Sequence, residues 1–195
     1  GCSWIKSWGD SDDPNEPAKL VDFEPTLNVG KVWSTKVGDG LDKAGRQLRP
    51  AYQSGSIYAA DYKGLLMAID ANSGNKLWEI KTKLPFTGGP GVWDNLLLMG
   101  TENGEVFAFD ASTGTQLWSA TVTSEVLAAP SETDGVVVVR CIDGRIFGLD
   151  ADTGQRIWIY DHSVPLLTLR GNAPPLLRAG VAFIGYDGGQ VVALR

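Results

Sequence analysis

Three carboxylates recur at intervals of forty residues: Asp70, Asp110 and Asp150 each open the pattern Asp-Ala-x-x-Gly-x-x-x-Trp, which runs through Gly74, Gly114 and Gly154 and closes on Trp78, Trp118 and Trp158. Three aspartates suggest a cation site, and the single histidine, His162, follows Asp161, a pairing that a general base and its orienting carboxylate would use. Neither chemistry is complete. A His–Asp pair needs a nucleophile in place, so His162 reads as a loop residue. Each recurrent aspartate has a local task instead: Asp at a strand end accepts turn amides, and glycine takes positive φ at no steric cost. The two cysteines, Cys2 and Cys141, stand too far apart in sequence for a disulfide framework or a clustered zinc site. Cys141 ends the run Val136-Val137-Val138-Val139-Arg140 and reads as a small buried thiol. No glycine-rich loop follows a strand and opens a helix, so nucleotide chemistry is not expected. The expectation is a protein that is not an enzyme and has no cofactor and no metal.

The elements that carry these residues follow from the same spacing. Pro50, Pro90, Pro130 and Pro174 are each followed fourteen residues later by Gly64, Gly104, Gly144 and Gly188, and the first three glycines meet a tryptophan fourteen further on. A period near 40 with short β runs and glycine turns is the pattern of blade architectures. Within one unit, Val136–Cys141 and Arg145–Leu149 read as strands joined at Asp143-Gly144 by a two-residue hairpin turn, as at Asn103-Gly104. Gln155–Tyr160 is a third strand and the segment at each proline a fourth, which makes an all-β propeller of four-stranded antiparallel blades. About four blades are expected, at 46–83, 86–123, 126–162 and 172–195, with a first strand at 31–37 that closes the last blade. Trp33, Trp78, Trp118 and Trp158 then fill the wedges between blades, each removing on the order of 200 Å² from water.

Composition narrows the partners. With 43% hydrophobic residues the chain can build a core, and a net charge of -6 without a basic stripe excludes a nucleic-acid surface. No apolar run approaches the ~20 residues of a membrane-spanning helix. Residues 1–28 include Asp10-Ser11-Asp12-Asp13-Pro14-Asn15-Glu16-Pro17, which has no apolar periodicity and reads as a flexible acidic tether. Two connections are long: Pro174 follows Trp158 at an interval of 16 and Pro50 follows Trp33 at an interval of 17, against 12 from Trp78 to Pro90 and from Trp118 to Pro130. Extra residues in uniform repeats generally become working loops on one rim. The 38–49 stretch is polar and glycine-rich and reads as solvated. In the other, Leu167 and Leu169 beside Arg170 suit an interface centre, and equally suit core positions of an irregular strand with Arg170 paired to a local carboxylate.

The repeats Ala68-Ile69-Asp70…Gly74…Trp78 and Ala108-Phe109-Asp110…Gly114…Trp118 resemble the tryptophan-docking repeats of quinoprotein alcohol dehydrogenases, with departures at Gly148 and Arg195. Those enzymes use a calcium-bound quinone and an adjacent cysteine pair, and Cys141 has no adjacent cysteine; a fragment of such a dehydrogenase is the alternative reading. Val164-Pro165-Leu166-Leu167-Thr168-Leu169-Arg170-Gly171-Asn172-Ala173-Pro174 is similar to the Leu-x-Leu-Arg-Gly-x-x-x-Pro segment of the BamB family, lipoproteins of the outer-membrane β-barrel assembly machinery. That resemblance implies a non-catalytic scaffold on the periplasmic face of the outer membrane, with unfolded outer-membrane proteins as clients. It also implies that Leu167, Leu169 and Arg170 contact the POTRA region of a BamA-like partner. Gly1-Cys2 resembles the end of a lipobox, which implies an acylated Cys2 as the sole membrane attachment, and Ser3 matches the family's outer-membrane sorting position. The family forms eight blades, about twice the number expected here.

Overall fold

The computed structural model of the chain describes residue 17 and residues 20–40, 48–163 and 173–195. The chain divides into two units, Gly1–Val32 and Trp33–Arg195. In the first unit the described residues form neither helix nor strand. Leu20, Phe23, Leu27, Val29 and Val32 are exposed there.

The second unit is built from strands alone. β1 (Ala51–Gln53), β2 (Ser56–Ala60), β3 (Leu65–Asp70) and β4 (Lys76–Lys81) form the first sheet, in that order. β5 (Phe86–Trp93), β6 (Leu96–Thr101), β7 (Glu105–Asp110) and β8 (Gln116–Thr121) form the second, and β9 (Ser131–Thr133), β10 (Val136–Arg140), β11 (Ile146–Asp150) and β12 (Arg156–Tyr160) the third. The fourth sheet has three strands, β13 (Leu176–Arg178), β14 (Val181–Gly185) and β15 (Val191–Leu194). Every neighbour pair is antiparallel. β1 packs on β5, β5 on β9 and β9 on β13, which puts the first strand of each blade on the inside of the stack. Such a strand has one free edge, and Pro90, inside β5, falls where the register with β6 shifts between Gly88 and Gly91, a place in a strand where proline is tolerated.

Period-2 alternation sends successive side chains of a strand into opposite seams. Leu97 and Met99 pack with Tyr58, Leu66 and Phe86, whereas Leu98 packs with Val137 and Val139. Val138, one residue out of phase, joins Ile146, Ala182, Ile184 and Tyr186 in the third seam. Both faces of the middle strands are therefore buried, which is why Leu96-Leu97-Leu98-Met99 and Val136-Val137-Val138-Val139 read as unbroken apolar runs.

One local expectation is corrected. The corners at Asn103-Gly104 and Asp143-Gly144 are three-residue turns: Cys141 N–H donates to Arg145 O (2.9 Å) across Ile142, Asp143 and a Gly144 at φ +92°. The two-residue turns lie at the opposite end, at Ser54-Gly55, Asp134-Gly135 and Ala179-Gly180, where both central residues have positive φ, the type I′ geometry that matches strand twist. Among the described residues, 31–37 are assigned to no sheet and β15 is paired with β14 alone. Trp33 Nε1 donates to Ala71 O (2.9 Å) and Thr35 Oγ1 to Gly74 O (2.5 Å), both in the first blade.

Candidate functional site

Strand direction alternates along each blade, so the connections fall on two rims. One rim carries the two-residue turns and the Asp-Ala-x-x-Gly turns. The other carries the three-residue turns and the connections from blade to blade.

On the first rim each recurrent aspartate serves its own turn. Asp110 Oδ1 accepts from Ser112 N (2.9 Å), Ser112 Oγ (2.6 Å), Thr113 N (2.9 Å) and Thr113 Oγ1 (3.0 Å), and Oδ2 accepts from Asn95 Nδ2 (2.6 Å). The Ser112 hydroxyl, with help from Thr113 and Asn95, holds its carboxyl down at about 2. Asp70 and Asp150 are lowered in the same way, chiefly by the hydroxyls of Ser73 and Thr153. The three carboxylates lie in three separate turns, and among the described residues no group of three His, Cys, Asp or Glu side chains could hold a metal.

The rest of the motif receives a tryptophan from the preceding unit. Trp33, Trp78 and Trp118 donate from Nε1 to Ala71 O (2.9 Å), Ala111 O (2.9 Å) and Ala151 O (2.8 Å). Their rings lie on Gly74, Gly114 and Gly154, where an added Cβ would sit 2.7, 2.9 and 2.6 Å from ring carbons. Those glycines also have φ of +74°, +76° and +72°, so backbone conformation and ring contact both require the absence of a side chain. Trp158 differs. It packs at the seam between the third and fourth blades, across its cross-strand neighbour Gly148, where a Cβ would collide with its ring. That contact accounts for glycine at 148 where the other blades have Ala68 and Ala108.

The second rim is most elaborate between the third and fourth blades. Arg145 pairs with Asp143 (3.0 Å) and with Asp161 (2.6 Å), and these three with His162 and Ser163 line an open cleft of about 280 Å³. The His162 ring stacks on Tyr186 at 3.9 Å and lies 6.3 Å from the Tyr160 ring. Tyr186 is 6% exposed, donates its hydroxyl to Gly144 O (3.1 Å), and is pushed up to about 12 by burial. Over the same ring, 5.1 Å from its centroid, lies the guanidinium of Arg140, which is 3% exposed. Arg140 Nη1 donates to Ala173 O (3.3 Å), and among the described residues its buried Nε has no partner. Burial draws its basicity down, partly offset by Asp187.

Among the described residues the ring neighbours of His162 are Tyr160 and Tyr186. Cys141 is fully buried, and burial pushes its thiol up to about 11, away from reactivity. Arg140 and Tyr186 were not among the residues expected to matter. The signal was in the repeat: at 40-residue spacing Ala60 and Gly100 precede Arg140, so a charged residue takes a place that the other blades give to small ones. The candidate interface residues Leu167, Leu169 and Arg170, and the lipidation candidate Cys2, lie outside the described residues.

Sheets seamed by tryptophans from the preceding unit define a β-propeller of PQQ-type repeats. The family model described as outer membrane protein assembly factor BamB matches residues 62–195. A relative of that name from Xanthomonas campestris is 44% identical, covering 100% of this chain and 52% of its own, and one from Pseudomonas aeruginosa is 57% identical, covering 91% and 47%. The crystal structure of BamB from Moraxella catarrhalis matches with a TM-score of 0.75 at 28% identity, over 85% of this chain and 48% of that one. A quinohemoprotein alcohol dehydrogenase from Comamonas testosteroni shares the fold alone, with a TM-score of 0.50 at 24% identity over 59% of this chain and 21% of its own. The chain belongs to the BamB family, and it spans about half the length of the curated relatives it matches.

Proposed function

We propose that the chain is a non-catalytic scaffold in the assembly of outer-membrane β-barrel proteins. The observation that carries this is the match to relatives named outer membrane protein assembly factor along its whole length, at 44% identity in the Xanthomonas protein. The quinoprotein dehydrogenases have only the fold in their favour. Leu167, Leu169 and Arg170, in the connection between the third and fourth blades, bind the POTRA region of a BamA-like partner. An acylated Cys2 holds the protein at the periplasmic face of the outer membrane, and unfolded outer-membrane proteins are its clients. The work such a scaffold performs is tethering, since placing two components on one membrane raises their effective concentration without new contacts.

The test is binding of the longest native form to the POTRA region of its BamA homologue, by calorimetry, for wild type and Arg170→Glu. Reversal of a buried interface charge is expected to weaken binding by about a hundredfold or more, with the β-sheet circular dichroism unchanged. Equal binding by the two proteins would move the contact elsewhere. No binding by a folded wild type, together with capture of a quinone and calcium, would return the dehydrogenase reading.

A further inference from the structure

The first three blades close their second-rim corners in the same way, yet the charge there changes from blade to blade. Asp61 N–H donates to Leu65 O (3.0 Å) as Cys141 N–H does to Arg145 O (2.9 Å), and Thr82 N–H donates to Gly64 O as Val122 N–H does to Gly104 O (2.8 Å each). At 40-residue spacing the corner residues are Lys63, Lys81 and Lys83 in the first blade, Asn103, Thr121 and Thr123 in the second, and Asp143, Asp161 and Ser163 in the third. The acidic corner is filled from within, because Arg145 pairs with both Asp143 and Asp161. The basic corner is an open cleft of about 320 Å³ that the three lysines line together with Asp39 and Asp61. Asp39 occupies one of them, Lys63 (2.7 Å), and among the described residues no carboxylate pairs with Lys81 or Lys83. Lys83 is also left-handed, at φ +63°, a conformation that glycine adopts more readily, so the position carries its ammonium at a conformational cost.

We propose that this corner of the first blade is a binding site for an acidic, extended segment of a partner protein, whose carboxylates pair with Lys81 and Lys83. Asp39 shows the mode of engagement. Its carboxylate lies on Lys63 while its own N–H donates to Asp61 Oδ2 (3.0 Å), and Tyr62 N–H donates to Gly40 O (3.4 Å). The cleft thus takes a carboxylate on its lysine wall and a peptide N–H at Asp61, which is 3% exposed. A lipid phosphate would meet the wall but bring no N–H for the Asp61 carboxylate, whose charge repels it, so the pairing favours a peptide over an anionic membrane surface. The third blade shows that such corners clamp charge: Asp143 and Asp161 hold a guanidinium from the positions equivalent to Lys63 and Lys81.

The experiment titrates the full chain into three probes at low salt: a short fluorescein-labelled peptide of alternating Asp and Glu, its Asn and Gln counterpart, and vesicles of phosphatidylglycerol. Wild type is expected to bind the acidic peptide saturably, about tenfold or more tighter than the amide peptide, and less tightly as salt is added. The double variant Lys81→Glu, Lys83→Glu is expected to weaken that binding about tenfold or more with the circular dichroism unchanged. Lys83→Gly, which relieves the left-handed conformation, is expected to melt no lower than wild type and still to weaken binding about threefold, which separates lost affinity from lost fold. Absence of saturable binding to the acidic peptide by wild type, or equal binding by the double variant, overturns the proposal. Lysine-dependent binding of the vesicles but not of the peptide overturns it in favour of an anionic membrane surface.

Discussion

At the residue scale, the recurrent aspartates illustrate how one side chain can organise a corner. Asp110 accepts four bonds at one oxygen and one at the other, all from its own turn and the adjacent Asn95. Its carboxyl is held at about 2, below the ordinary 3.8, so the folded state favours the charged form. A depressed carboxyl supports the fold fully above about pH 4, and that support is lost as pH falls through about 2. Carbon-detected titration of the Asp110 carboxyl is expected to give a midpoint near 2, and the melting temperature of Asp110→Asn should fall less than that of wild type between pH 4 and pH 2. A midpoint near 4 would mean that the hydroxyl bonds do not persist in solution.

Glycine at the fifth position of the motif connects the residue to the element. Gly114 is left-handed and lies beneath Trp78, whereas Gly135 is left-handed with open space around it, at φ +76° and +80°. Gly135→Ala therefore tests backbone conformation alone and is expected to cost about 1 kcal/mol. Gly114→Ala adds a displaced tryptophan, raising the cost to about 2–4 kcal/mol. Chemical denaturation of both variants checks the difference, and equal losses would show that the ring adapts freely. Strand identity was legible in the sequence because period-2 patterning and turn residues are local. The corners were exchanged, because Gly after Asn or Asp serves both a three-residue turn and a type I′ turn, and only register separates them.

For the whole molecule, the decisive property is where the chain is held. The proposed lipid on Cys2 predicts that Cys2→Ser shifts the full-length protein from the outer-membrane fraction to the soluble periplasm, while purified protein keeps its affinity for the POTRA region. Retention in the membrane fraction would show attachment through the protein partner alone. Weaker binding by the purified variant would place the N-terminal segment in the interface.

The sequence by itself determined the repeat and its period, the four β units, the aspartate turns and the family resemblance, because each rests on residues a few positions apart or on recurrence at fixed spacing. Tertiary structure decided what those units touch. Each docking tryptophan finds its carbonyl 33 or 38 residues away in the next unit. Arg140 shows the same division: the sequence marks it as a charge in an apolar run, but Tyr186 and Ala173 become its neighbours only when the third and fourth blades stack. Hydrogen-bond ladders and turns are written in local pattern, whereas seam contacts join residues that no local pattern relates.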